Sequence, residues 1–552
     1  MIDRPILDAV TIGDHFLSQV ARQADAVALI SAENDRLEYW RWSDLATTVA
    51  GVIERLRSLG LKPGAHVATW LPNGLPWIAI DLAAQLGSLA HVAIDVRVPL
   101  ATAIEWSARA DAELMIVSSE HRSQCLAESK ANQLAIACVE SVLPSRSGST
   151  GELETPSNFS APAVSDMEAR TRGGNDAAQI LFTSGTSSQP KAVVLSHSNL
   201  TSNAKAKLAA APQSGNDIRL SVLPFAHAYA RTCELSTWII SGSQLCLARD
   251  WSQLLELAPV IRPSLINLVP HLACKLAKQL GESGAAGLHH LLGDRVRLLQ
   301  VGGASLPSDV WRRLADCGLP PLQGYGLTEA SPVICSNRAG QQRPDSVGWP
   351  VEGVELRLDE SGVLWTRGPH VMLGYWRAAE ETNLKIVDGW LRTDDLAKVD
   401  TDHGWQILGR ADDQISLSTG YKAHPQALSK RLVDHPWVDQ LIIVGQNRPF
   451  LSALVVPRYE RLPAEVWLSK QAHHSRFKDP SHLDHRLFSD LLREGWERLM
   501  ADLPRPLRIE RIGVLDRPLS IDNGGLNFKG AIRRRFVEEV LLVLEIEMLY
   551  AG

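Results

Sequence analysis

The chain has 552 residues, 45% apolar and 21% charged, an ordinary globular composition in a length beyond what one core usually supports, so two or more domains are expected. Its net charge of −6 gives no cationic surplus to displace counterions from phosphates, which excludes a general nucleic-acid binder. Seven cysteines without a CxxC pair argue against a disulfide framework or a zinc site and suit a reducing compartment.

The opening "MIDRPILDAVTIGDHF" has no basic segment followed by an apolar one, so no signal peptide is expected. The longest apolar run, "WIAIDLAAQLGSLAHVAI", is broken by Asp81, Gln85 and Gly87 and reads as a buried helix entering a strand, not as a membrane span. A cytoplasmic location is therefore expected. Residues 43–60 predict a helix capped by Ser43 and stopped by Gly60. "AHVATWLP", "GLPWIAIDLAAQLGSL" and "AHVAID" then alternate strand, helix, strand, the pattern of an α/β sheet covered by helices. Residues 144–162 lack apolar periodicity and read as a mobile surface loop.

"RPSLINLVP", "HLACKLAKQL" and "VRLLQVGG" continue as strand, helix, strand, and "ASLPSDVWRRLADCG" predicts a helix with Pro307 at its first turn and Gly318 past its end. From about residue 345, "SVGWPVEGVELRLDESGVLWTRG" alternates apolar and polar residues and predicts a β-rich subdomain. Another unit with helix and strands starts near Gln414. The expected fold class is α/β: a large N-terminal domain of α/β sheets plus the β-rich subdomain over 1–409, a hinge at 410–413, and a small mobile α+β C-terminal domain over 414–552.

Residues 181–200, "LFTSGTSSQPKAVVLSHSNL", place five Ser or Thr, one glycine and one lysine within 181–191. Hydroxyls and backbone N–H groups in a glycine turn can surround a phosphate, and a lysine can neutralise it. A Walker loop, GxxxxGK[ST] opening a helix, is excluded. Pro190 precedes Lys191, Ala192 follows it, and "KAVVLS" is β-like, so the loop is expected to link two strands.

The stretch resembles the phosphate-binding signature of the adenylate-forming superfamily, which includes acyl-CoA synthetases, carrier-protein adenylating domains and luciferases. Thr183, Ser184, Gly185, Thr186, Pro190, Lys191, Ser196, His197 and Asn199 match. Further segments follow in the family's order: "LPFAHAYART", "VGGASLP", "LQGYGLTEASPV", "DGWLRTDDLAKV" and "GRADDQISLSTGYKAHPQAL". The C-terminal "GGLNFKGAIRRRFVEEV" is similar to the closing segment of long-chain fatty acyl-CoA synthetases, as is "RPFLSALVVP".

The resemblance implies ATP and Mg2+ as cofactors, a carboxylic acid as substrate and coenzyme A, or the phosphopantetheine of an acyl carrier protein, as acceptor. It sets His227 beside the carboxylate pocket, adenine near Gly302, Gly303, Ala304 and Tyr325, the α-phosphate near Thr328 and Mg2+ at Glu329. It gives the ribose to Asp395 and Arg410, a hinge to Asp412 and the thiol tunnel to Gly420. Several of these residues have plainer readings as well: Asp394 and Asp395 as turn formers, His227 as a strand-end cap, Tyr325 as a core aromatic.

Some positions depart from the family pattern. Ser188 and Ala192 replace glycines of the loop, and Asp394 replaces the glycine of TGD. The family's catalytic lysine aligns with Ala531, two residues beyond Lys529. A shift of two in an extended segment keeps a side chain on one face, so Lys529 is expected to serve. The implied reaction is ATP-dependent activation of a hydrophobic carboxylic acid, with a fatty acid expected, followed by transfer to coenzyme A. The alternatives are a fatty or aryl acid ligase delivering to a carrier protein, and an adenylate-fold binding protein without turnover.

Overall fold

A computed structural model describes residues 11–33, 36–128, 134–144, 173–183, 190–281, 283–433, 435–468, 480–520, 523–526, 532–533 and 536–550. Nearly all of the loop expected at 144–162 lies outside them. The fold is α/β, with β-rich strands after residue 345 and further helices and strands at the C-terminal end. The chain divides into two compact units: Met1–Arg357, Trp365–Thr393 and Thr401–Trp405 make the first, and Leu358–Leu364, Asp394–Asp400 and Gln406–Gly552 the second.

Among the described residues of the first unit, nine strands form one sheet. Its spatial order is Trp349–Pro350, Val333–Ser336, Leu322–Gly326, Leu298–Val301, Leu265–Leu268, Ile218–Ser221, Gln244–Leu247, Val27–Glu33 and Arg36–Arg41. From Leu322–Gly326 to Val27–Glu33 the neighbours run parallel. Parallel neighbours need crossover connections, which the intervening helices supply. A second sheet runs Gly374–Tyr375, Ala192–Ser196, Ala177–Phe182, Ala90–Ile94, His66–Trp70, Ala112–Val117, Ala135–Cys138. Strands His66–Trp70 and Ala90–Ile94 are buried at every residue, as strands covered on both faces should be.

The sequence expectation for the helix after residue 42 needs a correction. The helix is Trp42–Ser58, so Ser43 lies inside the first turn; the carboxylate of Asp44 accepts from the backbone N–H of Arg41 at 2.8 Å instead. Trp42 packs inward, its ring 5.2 Å from that of Trp238. The helix Leu75–Leu86 shows why its apolar run is broken. Asp81 Oδ1 lies 2.9 Å from His91 Nδ1, its Oδ2 lies 2.9 Å from Arg231 Nη2, and Gln85 donates to it at 2.8 Å. All four are buried, so the carboxylate is compensated where it stands.

In the second unit, strands Val438–Val444 and Leu451–Pro457 are antiparallel, and Ile509–Val514 adds in parallel. Side chains alternate faces along a strand. Leu441, Ile443 and Val455 therefore pack with Phe488, Leu492 and Trp496 of helix His485–Leu499, whereas Ile442, Val444 and Leu454 pack with Leu515 and Val537.

Candidate active site

The hydroxyl-rich loop joins two antiparallel strands, as its flanks predicted: Phe182 pairs with Ala192 in register. At its base the Thr183 N–H donates to the Lys191 carbonyl at 3.0 Å, and the Lys191 N–H points at Thr183 Oγ1 at 3.4 Å. Ser184, Gly185 and Thr186 lie outside the described residues. Beyond the loop, Ser196 Oγ accepts from the Asn199 N–H at 3.0 Å and Asn199 Oδ1 from the Ser196 N–H at 2.9 Å, a reciprocal cap on helix His197–Ala210. The Asn199 amide also donates to the carbonyls of Pro369 and Val371. The end of this motif is thus structural, and it anchors residues 369–371.

That anchor matters because the next residues complete the site. Tyr375 pairs with Val193 in register, its hydroxyl donates to Glu329 Oε1 at 2.9 Å, and Lys191 Nζ sits 4.8 Å from the centre of its ring. The Met372 N–H donates to the Glu329 carbonyl at 2.9 Å. Glu329 Oε2 has no partner among the described residues. Tyr375 thus couples the loop lysine to the carboxylate, a link absent from the motifs. Its only sequence signal is an aromatic after a glycine in "MLGYW".

Thr328 and Glu329 follow strand Leu322–Gly326, the Gly302–Ala304 turn follows Leu298–Val301, and His227 lies beyond the end of Ile218–Ser221. All three segments leave the carboxyl ends of parallel strands in one sheet, where open α/β sheets bind ligands. Gly303 has φ +92° and Ala304 is exposed. Tyr325 is half-buried opposite Cys335. A Cβ on Gly326 would stand 1.7 Å from the Pro332 carbonyl oxygen, so only glycine fits before the turn.

His227 Nε2 lies 2.8 Å from Asp95 Oδ2 and 3.2 Å from Arg97 Nη2, and Arg97 Nε is 3.0 Å from both Asp95 oxygens. These contacts on Nε2 from Asp95 and Arg97 fix the orientation of the ring. Burial opposes the charge of Asp95, but hydrogen bonds from His227 and Arg97 outweigh it and hold the carboxyl well below its usual range. Asp95 and Arg97 were not visible as site residues, because only folding brings them to His227.

In the second unit Arg410 stands among three carboxylates: 3.0 Å from Asp412, 3.5 Å from Asp395 and 3.8 Å from Asp394. Burial works against its charge, but Asp395, Asp412 and Asp394 outweigh it and raise its pKa above the ordinary value. Asp394 has φ +61°, a conformation glycine adopts freely, which explains the glycine usual there. Gly420 has φ +84° and open space where a side chain would start. Lys529 lies outside the described residues. Among those residues no group of three His, Cys, Asp or Glu could hold a metal, and no helix is long and apolar enough to cross a membrane.

The family model for AMP-binding enzymes matches residues 16–376, and that for the AMP-binding enzyme C-terminal domain matches residues 412–472. The chain is 26% identical over 510 residues to long-chain-fatty-acid–CoA ligase FadD15 of Mycobacterium tuberculosis, spanning 81% of this chain and 82% of that protein. It is 27% identical over 434 residues to feruloyl-CoA synthase of Amycolatopsis sp., spanning 75% and 83%. ATP-bound MatB from Rhodopseudomonas palustris superposes with a TM-score of 0.76 at 20% identity, covering 96% of this chain and 98% of that one, which is a likeness of fold.

Proposed function

Because the chain belongs to the AMP-binding enzyme family, we propose that it activates a carboxylic acid with ATP as acyl-AMP and passes the acyl group to the phosphopantetheine thiol of coenzyme A. The observation that supports this most is the Lys191–Tyr375–Glu329 contact, a cation and an oxygen ligand held together at the strand ends.

A carboxylate is a poor electrophile because its leaving group would be oxide. In the first step its oxygen attacks the α-phosphorus and pyrophosphate leaves, giving a mixed anhydride. In the second step a thiolate attacks the carbonyl carbon and AMP leaves. The first step brings two anions together, so the site must align and neutralise them. Thr183, Ser184, Gly185, Thr186 and Lys191 are proposed to hold the β- and γ-phosphates, and Thr328 the α-phosphate. Gly302, Gly303, Ala304 and Tyr325 flank the adenine, and Asp395 and Arg410 bind the ribose.

Glu329 suits Mg2+, which takes one or two carboxylates and completes its shell with water and phosphate oxygens. One oxygen is fixed by Tyr375 and the other has no partner among the described residues. Bound there, Mg2+ would neutralise phosphate charge. His227, oriented by Asp95, is proposed to face the acid. Lys529 is proposed as the cation of the first step, Asp412 as the hinge and Gly420 as the thiol passage, roles that rest on the motif resemblance.

The names of FadD15 and feruloyl-CoA synthase set fatty and aryl acids side by side as substrate classes. Acid-dependent pyrophosphate release across a panel of both tests the reading. Thioester on coenzyme A supports it, and thioester only on a carrier protein moves the acceptor. No release with any acid leaves the binding-protein alternative.

A further inference from the structure

Adjacent strands of the nine-stranded sheet carry polar residues where a buried face would otherwise be apolar. Asn267 and Gln300 are direct register partners, and Gly302 continues the face of Gln300 two residues on. Asn267 is 0% exposed and Gln300 is 2% exposed. The segment from Ala228 to Ser236 covers this face: Asn267 Nδ2 donates to the Cys233 carbonyl at 2.9 Å, and a Cβ on Gly302 would lie 3.0 Å from the Tyr229 ring.

Within this layer both amide atoms of Gln300, Oδ1 of Asn267 and the hydroxyl of Tyr229 have no hydrogen-bond partner among the described residues. Buried polar atoms are nearly always paired, so four such atoms in one layer call for an occupant. An apolar side chain would fill the same volume without that need, as Ile266 and Leu299 do on the opposite face.

The neighbouring charges pair with each other, although Arg219 Nε and Glu234 Oε1 have no hydrogen-bond partner among the described residues. Arg219 Nη1 meets Glu234 Oε2 at 2.9 Å and the same guanidinium donates to the Cys233 carbonyl and to Thr237. Burial pushes the Glu234 carboxyl up to about 7, so a second anion is unwelcome beside it. The unmatched atoms of Gln300, Asn267 and Tyr229 are neutral, and together they both donate and accept. Gln300 lies two residues, about 7 Å, down the strand from Gly302. That is a depth one aromatic ring or a short alkyl chain spans from a carboxylate at the strand ends.

Resting on the ligase reading above, we infer that the acid substrate carries, at its end away from the carboxylate, an uncharged hydroxyl or amide group recognised by Gln300, Asn267 and Tyr229. These are specificity residues; they take no part in bond making. A site built to hydrogen-bond a substrate group rejects the analogue that lacks it, because its own polar atoms are then left unpaired.

The test compares acid-dependent pyrophosphate release by the full-length protein for two matched pairs, 4-hydroxybenzoate against benzoate and 6-hydroxyhexanoate against hexanoate. The hydroxylated member is expected to be favoured at least about tenfold in kcat/KM in one pair. Gln300→Leu is expected to erase that preference; should that variant fail to fold, Tyr229→Phe is expected to reduce the preference. Equal or reversed preference in the parent protein, with release still observed, overturns the inference alone and leaves the ligase reading standing. A preference that survives Gln300→Leu means water fills the layer, and also overturns it. Release with no acid of either pair or of a fatty acid series overturns the ligase reading and the inference together.

Discussion

The hydroxyl of Tyr375 donates to Glu329 Oε1 at 2.9 Å while its ring lies 4.8 Å from the ammonium of Lys191, so one side chain sets the positions of two groups proposed to handle the phosphates of ATP. Strand pairing fixes that side chain in turn, since Tyr375 is the register partner of Val193, two residues after Lys191. The cation and the carboxylate are therefore tied to one backbone.

Tyr375→Phe keeps the ring under Lys191 and removes only the hydrogen bond to the carboxylate. A hydrogen bond to a charged group contributes roughly 1.5–3 kcal/mol. About tenfold more Mg2+ is then expected for half-maximal pyrophosphate release, with a fall of only a few degrees in melting temperature. Tyr375→Leu also removes the cation–π contact and is expected to raise the KM for ATP.

Gly326→Ala places a methyl group 1.7 Å from the Pro332 carbonyl oxygen, an approach that only backbone movement can relieve. A loss of roughly 3 kcal/mol in stability is expected, together with loss of activity, since the same turn carries Thr328 and Glu329. Denaturant unfolding followed by fluorescence measures it.

His370 is buried and its pKa is lowered by burial to about 4, while its ring Nε2 lies 2.8 Å from Thr366 Oγ1. Its carbonyl accepts from Ser331 Oγ at 2.8 Å, next to the turn that carries Glu329. A histidine with a lowered folded pKa contributes stability that is present above the unfolded value near 6.5 and is lost as pH falls towards 4. The unfolding free energy is expected to fall across that window, by up to roughly 3 kcal/mol from this group. His370→Gln is expected to flatten the slope there; an unchanged slope would assign the dependence to other groups.

Lys529→Ala is expected to abolish acyl-AMP formation and to spare thioester formation from preformed acyl-AMP. Single-turnover assays of the two half-reactions separate these outcomes. Equal first-step rates would remove Lys529 from the site.

The sequence conveyed what lies along the chain and little of what register brings together. Two strands around the loop were legible because "LF" and "AVVLS" are apolar on either side of a polar turn, and the alternation of strand and helix announced an α/β fold. Asp95, Arg97 and Tyr375 were not legible, because they reach His227, Glu329 and Lys191 only through the packing of separate segments. Asn267 and Gln300 did leave a trace as single polar residues inside the apolar strands "LINL" and "LLQV". Reading them as a pair required the parallel register between those strands. Ser43 is not the cap although its residue type suits one: the helix starts a residue earlier, and the Asp44 carboxylate takes the Arg41 N–H.

Exchange of labelled pyrophosphate into ATP reports the first half-reaction without any acceptor thiol, and so tests the ligase reading most directly. Exchange that requires both an acid and Mg2+, and proceeds without coenzyme A, is expected. No exchange with any fatty, aryl or hydroxylated acid, or exchange indifferent to acid, would contradict it.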